Sequence, residues 1–227
     1  MPKEENGVIF GDVFQVKREF PISKNGRGYK EYRISDNRAL RIRILHPGKA
    51  ETATGADLIY ENYWEIGSTN LVRLAVLQYK MWHKKSLYID KRTRCQLEKM
   101  KNTFCGRKLC EENSDYKRQY RLPYCTAFLR PTDELQSEDA SLLSSGYYVP
   151  ICVVDNVRQS ALKGQNTLRS RDIRSEAVTH KIFEEMFNSN MIGSRWLTYG
   201  ELEDMYHFNN ILEPDEHIVI HAQELPL

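Results

Sequence analysis

An α/β fold is the class that this sequence predicts, from two kinds of segment. Residues 54–60 and 71–82 are short apolar runs with strand composition, and the second is apolar on both faces, which is typical of a central strand. Residues 175–187 place apolar side chains at helical spacing, and Thr198 with Glu201 has the spacing of a capping box that begins a helix. Strands and helices of this kind in one chain indicate α/β architecture.

Length and composition predict a single domain. The 227 residues are 41% hydrophobic and 28% charged, as in an ordinary globular protein, so we expect one domain over residues 1–227. A net charge of +2 provides little overall attraction for nucleic acid or an anionic membrane, so such binding must come from local patches. No apolar run approaches the roughly 18 residues of a spanning helix, and the N-terminus lacks the pattern of a secretory signal. The sequence therefore predicts a cytoplasmic protein without membrane contact.

The other elements follow in chain order. The first fifty residues are polar and turn-rich, and residues 37–45 fit either a strand or a helix. Residues 61–70 connect the two apolar strands, and a basic, cysteine-bearing insertion extends over about 84–130. The remaining regular segments that we expect are a helix at 95–102, strands at 147–154 and 217–222, and a capped helix at 198–209.

Polar side chains end both apolar strands. Asp57 lies in the first, and Gln78 and Lys80 lie two apart in the second, where they share a face. Twenty residues separate Asp57 from Gln78, which is enough for the polar ends of two neighbouring strands to converge. Mg²⁺ prefers oxygen ligands such as a carboxylate, an amide or carbonyl oxygen and a phosphate oxygen. A nearby ammonium group can orient water and stabilise charge on phosphorus, so the pattern predicts a metal site for phosphodiester chemistry.

These residues resemble the PD-(D/E)XK nuclease superfamily, in the variant that carries Gln in place of the second acidic residue, as in Mrr-like restriction enzymes and antiphage effectors. The resemblance covers residues 54–82, with Ala56 where the family name has proline. It implies a restriction-endonuclease-like fold, with a central mixed sheet flanked by helices. It also implies that Asp57 and Gln78 are metal ligands and that Lys80 is the catalytic lysine.

The resemblance further implies an acidic residue on a helix before the first motif strand, and Glu31 and Glu51 are both candidates. The implied activity is that of a Mg²⁺-dependent endonuclease that hydrolyses DNA in bacterial antiviral defence or restriction, with Mn²⁺ as an alternative ion. The alternative function is a non-catalytic subunit that binds nucleic acid or protein in a larger complex. A separate sensor or ATPase subunit and a homo-oligomer are the partners that remain open.

Basic side chains follow the second strand directly, with tyrosines between them. Lys84, Lys85 and Arg92 are candidates for binding the phosphates of DNA, with bases stacked on the tyrosines. A solvated surface is the alternative interpretation. Further cations of the same segment are Lys91, Arg94, Lys117, Arg118 and Arg121.

The cysteines offer a second candidate metal site. Five cysteines without a signal peptide favour reduced thiols or a metal site over disulfides. A structural Zn²⁺ held by Cys95, Cys105, Cys110 and Cys125 is one interpretation, but only the spacing of Cys105 and Cys110 is typical of a zinc knuckle, so ordinary thiols are favoured. Cys152 lies in an apolar run, and we expect it in the core.

Overall fold

The computed structural model describes residues 4–15, 18, 20–111, 126–132, 146–160, 166–214 and 216–218. These residues form an α/β fold with a central mixed β-sheet, as expected. The helices are α1 (Glu5–Phe10), α2 (Lys49–Thr54), α3 (Lys91–Met100), α4 (Ile151–Ser160), α5 (His180–Asn188) and α6 (Tyr199–Phe208). Two π-helical turns, Gly11–Gln15 and Lys101–Cys105, continue α1 and α3. The strands are β1 (Ile22–Gly26), β2 (Tyr29–Ser35), β3 (Arg38–Ile44), β4 (Leu58–Ile66), β5 (Thr69–Met81), β6 (Ser86–Tyr88), β7 (Ala127–Thr132), β8 (Tyr147–Pro150), β9 (Thr167–Arg169), β10 (Val178–Thr179) and β11 (Leu197–Thr198).

Nine of the strands in the described ranges form the central sheet. Their order is β1-β2-β3-β4-β5-β7-β8-β10, and β11 pairs with the first part of β5. Strands β1 to β5 are antiparallel neighbours, whereas β5 and β7 are parallel. A parallel pair needs a crossover connection, and the chain between β5 and β7 includes α3. The basic segment 84–130 therefore contributes α3 and the first residues of β7 to the fold.

The two faces of the sheet pack against different helices, because side chains alternate along each strand. Val76 of β5 joins the apolar cluster formed with residues of α3, α4 and α6. Its neighbour Leu77 joins the cluster formed with residues of α1 and α5. By the same alternation, Gln78 and Lys80 project from the face that α3 covers.

No helix in the described part of the chain is both long and apolar enough to cross a membrane.

The two motif strands are present with shifted boundaries. The expected strand at 54–60 begins only at Leu58, because residues 49–54 form helix α2, and it continues to Ile66. The expected strand at 71–82 is β5, and only Gly67 and Ser68 separate it from β4. The ambiguous segment 37–45 is the strand β3, whose backbone pairs with both β2 and β4.

The expectation for residues 147–154 is wrong in its second half. A strand covers only Tyr147–Pro150, and α4 begins at Ile151. Cys152 is therefore an exposed residue of a helix and not a core residue of a strand. A short apolar run does not distinguish a buried strand from the start of a helix. Of the expected strand at 217–222, residues 217 and 218 are not in a strand, and the others lie outside the described residues.

Candidate metal centre

The chain between β3 and β4 is held tightly against α3. Gly55 ends α2 with a φ of 77°, and a Cβ at this position would lie 2.2 Å from the backbone oxygen of Gln96 in α3. The Thr54 hydroxyl donates to the Ala50 carbonyl at 2.7 Å and accepts the Ala56 N–H at 3.2 Å. Only glycine fits this left-handed, closely packed position. The turn at residues 54–56 therefore fixes where α2 ends and how Asp57, which follows the turn, is oriented.

Asp57 is completely buried, and its two carboxylate oxygens differ in their partners. Oδ2 accepts the backbone N–H of Tyr79 and the side-chain amide of Gln78, both at 2.7 Å. Oδ1 is buried and accepts no hydrogen bond. The expected approach of Asp57 and Gln78 is thus present, and it leaves one carboxylate oxygen without a donor. Such an orphaned oxygen is unusual in a folded protein, and an ordered water or a bound ion is a common explanation.

Gln78 contacts Asp57 through its nitrogen. Its Nε2 donates to Asp57 Oδ2 and, at 3.1 Å, to the Tyr79 carbonyl, while its Oε1 is buried without a partner. The amide group therefore orients the carboxylate. Its own oxygen is the atom available to a metal ion.

A second carboxylate and an imidazole lie beside Asp57. His46 Nδ1 is 2.8 Å from Glu51 Oε2 and 3.5 Å from Asp57 Oδ1. The three residues bring one ligand atom each to within 4.8 Å of one another, and they form the only such group of His, Cys, Asp or Glu found among the described residues. Glu51 thus provides the carboxylate on a helix before β4. The other candidate, Glu31, lies in β2, where it pairs with Arg41.

The site has unbalanced electrostatics. Burial raises the pKa of Asp57 to about 6, although the contact with His46, the charge of Lys80 and the Tyr79 N–H all act to lower it. The carboxylates of Asp57 and Glu51 raise the pKa of His46. Both raised pKa values mean that the cluster of His46, Glu51 and Asp57 is stabilised by added positive charge, which a proton or a metal ion can supply.

Lys80 reaches the same region but is already paired. Its ammonium nitrogen lies 2.9 Å from Glu5 Oε1 in α1, and the lysine side chain is only 12% exposed. The next residue, Asn6, has its Oδ1 2.6 Å from His46 Nε2. Sequence reasoning missed His46, Glu5 and Asn6. The Asn6–His46 and Glu5–Lys80 contacts join residues 40 and 75 positions apart, and no local pattern marks them.

A basic pocket opens next to Glu51. It has a volume of about 510 Å³, and its cationic lining residues are Lys91, Arg92 and Lys99 of α3. Arg92, a candidate nucleic-acid contact from the sequence, therefore lines the same pocket as Glu51. Lys84 and Lys85 are exposed in the turn between β5 and β6 and do not line this pocket.

A zinc site at Cys95, Cys105, Cys110 and Cys125 stays a prediction, because one of its four ligands is not described. The other three do not form a group of three close ligand atoms, and Cys95 is exposed on α3. Cys125 lies outside the described residues, as do Lys117, Arg118 and Arg121. Cys110 instead accepts the backbone N–H of Thr126 through its Sγ at 3.4 Å.

Comparison of the chain with protein-family models, with curated proteins and with solved structures finds no match. Any functional conclusion therefore depends on the chemistry of the residues just described.

Proposed function

We propose that the protein is a metal-dependent endonuclease that hydrolyses phosphodiester bonds of DNA. The observation that carries the proposal is the buried, unpartnered Oδ1 of Asp57, which faces His46 and Glu51 and lies beside the amide of Gln78. The resemblance of residues 54–82 to PD-(D/E)XK nucleases assigns the same aspartate as the principal metal ligand. The sequence pattern and the geometry thus support the same residue.

The donor set fits a hard divalent cation such as Mg²⁺. Asp57 and Glu51 provide carboxylate oxygens, and Gln78 provides an amide oxygen without another partner. Glu51 also restores the carboxylate that the glutamine at position 78 removes from the family pattern. A cation held by these groups supplies positive charge beside the scissile phosphate and favours attack by water.

Lys80 is the residue that orients the attacking water and stabilises the charge that develops on the phosphate. Its ammonium group projects from the same strand face as Gln78, two residues away, and contributes to the electrostatic potential at Asp57. In this position it can orient the attacking water and stabilise charge on the phosphate oxygens. For this to happen, its ion pair with Glu5 must open or rearrange when the substrate binds.

DNA reaches the site along the basic side of α3. Lys91, Arg92 and Lys99 line the pocket that adjoins Glu51, so phosphates flanking the scissile one meet cations there. Lys84 and Lys85 extend the positive surface at the exposed turn after β5. Binding through these side chains should weaken steeply as salt increases.

The test is cleavage of supercoiled plasmid by the purified protein in Mg²⁺, Mn²⁺ or EDTA. We expect metal-dependent nicking that is abolished in Asp57→Ala and in Lys80→Ala, with both variants folded by circular dichroism. Lys181→Ala changes an exposed lysine on α5 and serves as the matched control that keeps full activity. Cleavage by the Asp57 and Lys80 variants at the wild-type rate would remove the assignment.

One observation favours the non-catalytic alternative, a nucleic-acid-binding subunit. The Lys80 ammonium group is ion-paired with Glu5, so the proposed catalytic cation is neutralised in this conformation. This alternative predicts strongly salt-dependent DNA affinity in EDTA, with no turnover in any metal. Turnover that depends on Lys80 would exclude it.

A further inference from the structure

We infer that His46 is a fourth protein ligand of the metal centre, beside Asp57, Glu51 and Gln78, and that its nitrogen makes the site select a first-row transition-metal dication such as Mn²⁺ over Mg²⁺. The inference rests on the proposed function for the existence of the metal centre. It adds the identity of a ligand and the class of ion, neither of which follows from the motif residues Asp57, Gln78 and Lys80.

The first step concerns the tautomer of His46. The Asn6 Oδ1 atom, 2.6 Å from His46 Nε2, is an amide oxygen and can only accept, so Nε2 carries a hydrogen. In the neutral imidazole the other nitrogen, Nδ1, then presents a lone pair. A partner that fixes one imidazole nitrogen and turns the other toward a cation is the usual surrounding of a metal-binding histidine.

The second step concerns what Nδ1 faces. It lies 2.8 Å from Glu51 Oε2 and 3.5 Å from Asp57 Oδ1, so a lone pair meets two carboxylate oxygens. Three electron-rich atoms at these distances repel one another unless a cation lies between them. Adjacent ligand atoms around an octahedral ion are about 3 Å apart, given metal–ligand distances of about 2.1 Å. The separations from Nδ1, 2.8 and 3.5 Å, lie on either side of that value, and all three atoms are within 4.8 Å of one another.

The third step separates a metal ion from a proton. His46 Nδ1 makes no hydrogen bond of acceptable geometry to Glu51 despite the 2.8 Å separation, and 3.5 Å is too long for a normal hydrogen bond to Asp57. Protonation therefore leaves Asp57 Oδ1 buried and unpartnered. A metal ion bound to all three atoms satisfies every one of them. The orphaned oxygen thus favours the metal ion.

The donor set then determines the kind of ion. Mg²⁺ binds almost entirely through oxygen ligands, whereas imidazole nitrogen suits first-row transition metals, whose affinities rise from Mn²⁺ toward Cu²⁺. A nitrogen ligand from His46 therefore shifts the preference of the site away from Mg²⁺. Mn²⁺ is the useful ion for a test, because it tolerates mixed oxygen and nitrogen ligands and is paramagnetic.

The experiment uses untagged, metal-free full-length protein and measures the binding of Mn²⁺ alone and Mg²⁺ alone by calorimetry. We expect wild type to bind Mn²⁺ at least tenfold more tightly than Mg²⁺. In His46→Ala the Mn²⁺ affinity should fall tenfold or more while the Mg²⁺ affinity changes less than threefold. His217→Ala, whose side chain is 73% exposed, is the matched control and should leave both affinities unchanged. An equal loss for both ions in His46→Ala would mean that His46 only supports the fold, and would overturn the inference.

A spectroscopic measurement reads the ligand directly. Bound Mn²⁺ coupled to a ¹⁴N nucleus produces nitrogen modulation in pulsed electron paramagnetic resonance, which we expect in wild type and not in His46→Ala. Absence of nitrogen coupling in wild type would overturn the inference, even if Mn²⁺ supports plasmid cleavage. Nitrogen coupling without cleavage in any metal would instead retain the metal centre and reject the nuclease. The two proposals can therefore fail separately.

Discussion

Two buried carboxylates of the same strand region, Asp57 and Glu61, differ in how their charge is balanced. Both are fully buried. Glu61 accepts hydrogen bonds from Arg43 at 2.6 Å, from Tyr206 at 2.8 Å and from Tyr63 at 2.5 Å. Asp57 has donors on one oxygen only.

The difference appears in the pKa values. Burial alone would raise the pKa of Glu61, but the charges of Arg43 and Arg41 outweigh it and lower that pKa. Burial dominates at Asp57 and raises its pKa to about 6. Burial destabilises the charged form of both carboxylates, but only at Glu61 do neighbouring arginine charges outweigh that effect. A carboxylate balanced within the fold stabilises the structure, whereas one left short of positive charge is suited to bind a cation.

Glu61→Gln tests the balanced side of the comparison and has the largest expected effect. It leaves Arg43 without its carboxylate, and loss of one partner of a buried ion pair costs about 3–5 kcal/mol of the free energy of unfolding. Urea unfolding measures the loss, with Glu185→Gln, at an exposed position of α5, as the control. A change below about 1 kcal/mol would show that the network does not stabilise the fold in the way argued.

Gly55→Ala tests the turn that places Asp57. A Cβ there meets the Gln96 backbone in a left-handed conformation, so overpacking and strain together cost about 2–4 kcal/mol. Gly67→Ala separates the two contributions, because Gly67 also has a positive φ of 61° but nothing within 4 Å of the added Cβ. We expect Gly67→Ala to lower the free energy of unfolding by about 1 kcal/mol and to keep full Mn²⁺ affinity. Gly55→Ala should lower both the free energy of unfolding and the Mn²⁺ affinity. Equal effects of the two variants would show that close packing against α3 is unimportant.

Asp57→Asn tests the carboxylate that lacks compensation, and we expect it to increase the stability of the metal-free protein, whereas the two preceding variants decrease stability. The pKa of Asp57 is about 6 in the folded protein against 3.8 in its reference state, so the folded state holds the proton more tightly. The stability of metal-free protein therefore decreases as pH rises from about 4 to 6 and stays reduced above that range. Removing the charge should raise the free energy of unfolding at pH 7.5 by about 1–3 kcal/mol.

Calorimetric melting in EDTA measures this gain. It should disappear at a pH well below the reference pKa of 3.8, where Asp57 is protonated in both states. In saturating Mn²⁺ the order should reverse, since only wild type gains stability from the ion. A variant less stable than wild type in EDTA at pH 7.5 would mean that the Asp57 charge is already compensated.

The motif residues could be predicted because their signal is local. Strand alternation places Gln78 and Lys80 on one face, and antiparallel pairing of consecutive strands brings Asp57 to them. The sequence also offered Glu51, but could not choose between it and Glu31, because the choice depends on whether each residue lies in a helix or in the sheet. The structure puts Glu31 in β2, in a buried pair with Arg41.

The remaining partners of the site could not be predicted. His46 lies two residues after the end of β3 and directly before Pro47, and α1 contacts it from 40 positions away through Asn6. Contacts of this kind depend on how a short helix packs against the sheet, and sequence periodicity does not encode them. Cys152 shows a related limit, since the apolar run containing it changes from strand to helix after Pro150.

Thr198→Ala has the smallest expected effect and tests whether the balanced network depends on its helix. Thr198 accepts the Glu201 N–H at 3.3 Å, and the Glu201 carboxylate accepts the Thr198 N–H at 2.8 Å, which forms the capping box of α6. The same helix brings the Tyr206 hydroxyl to Glu61. Loss of the cap should cost about 1 kcal/mol in urea unfolding, and Thr198→Ser, which keeps the hydroxyl, should restore most of it. Because α6 supplies no residue of the proposed metal centre, Mn²⁺ affinity should not change. A loss of Mn²⁺ affinity would mean that Glu61 and Asp57 are coupled through β4.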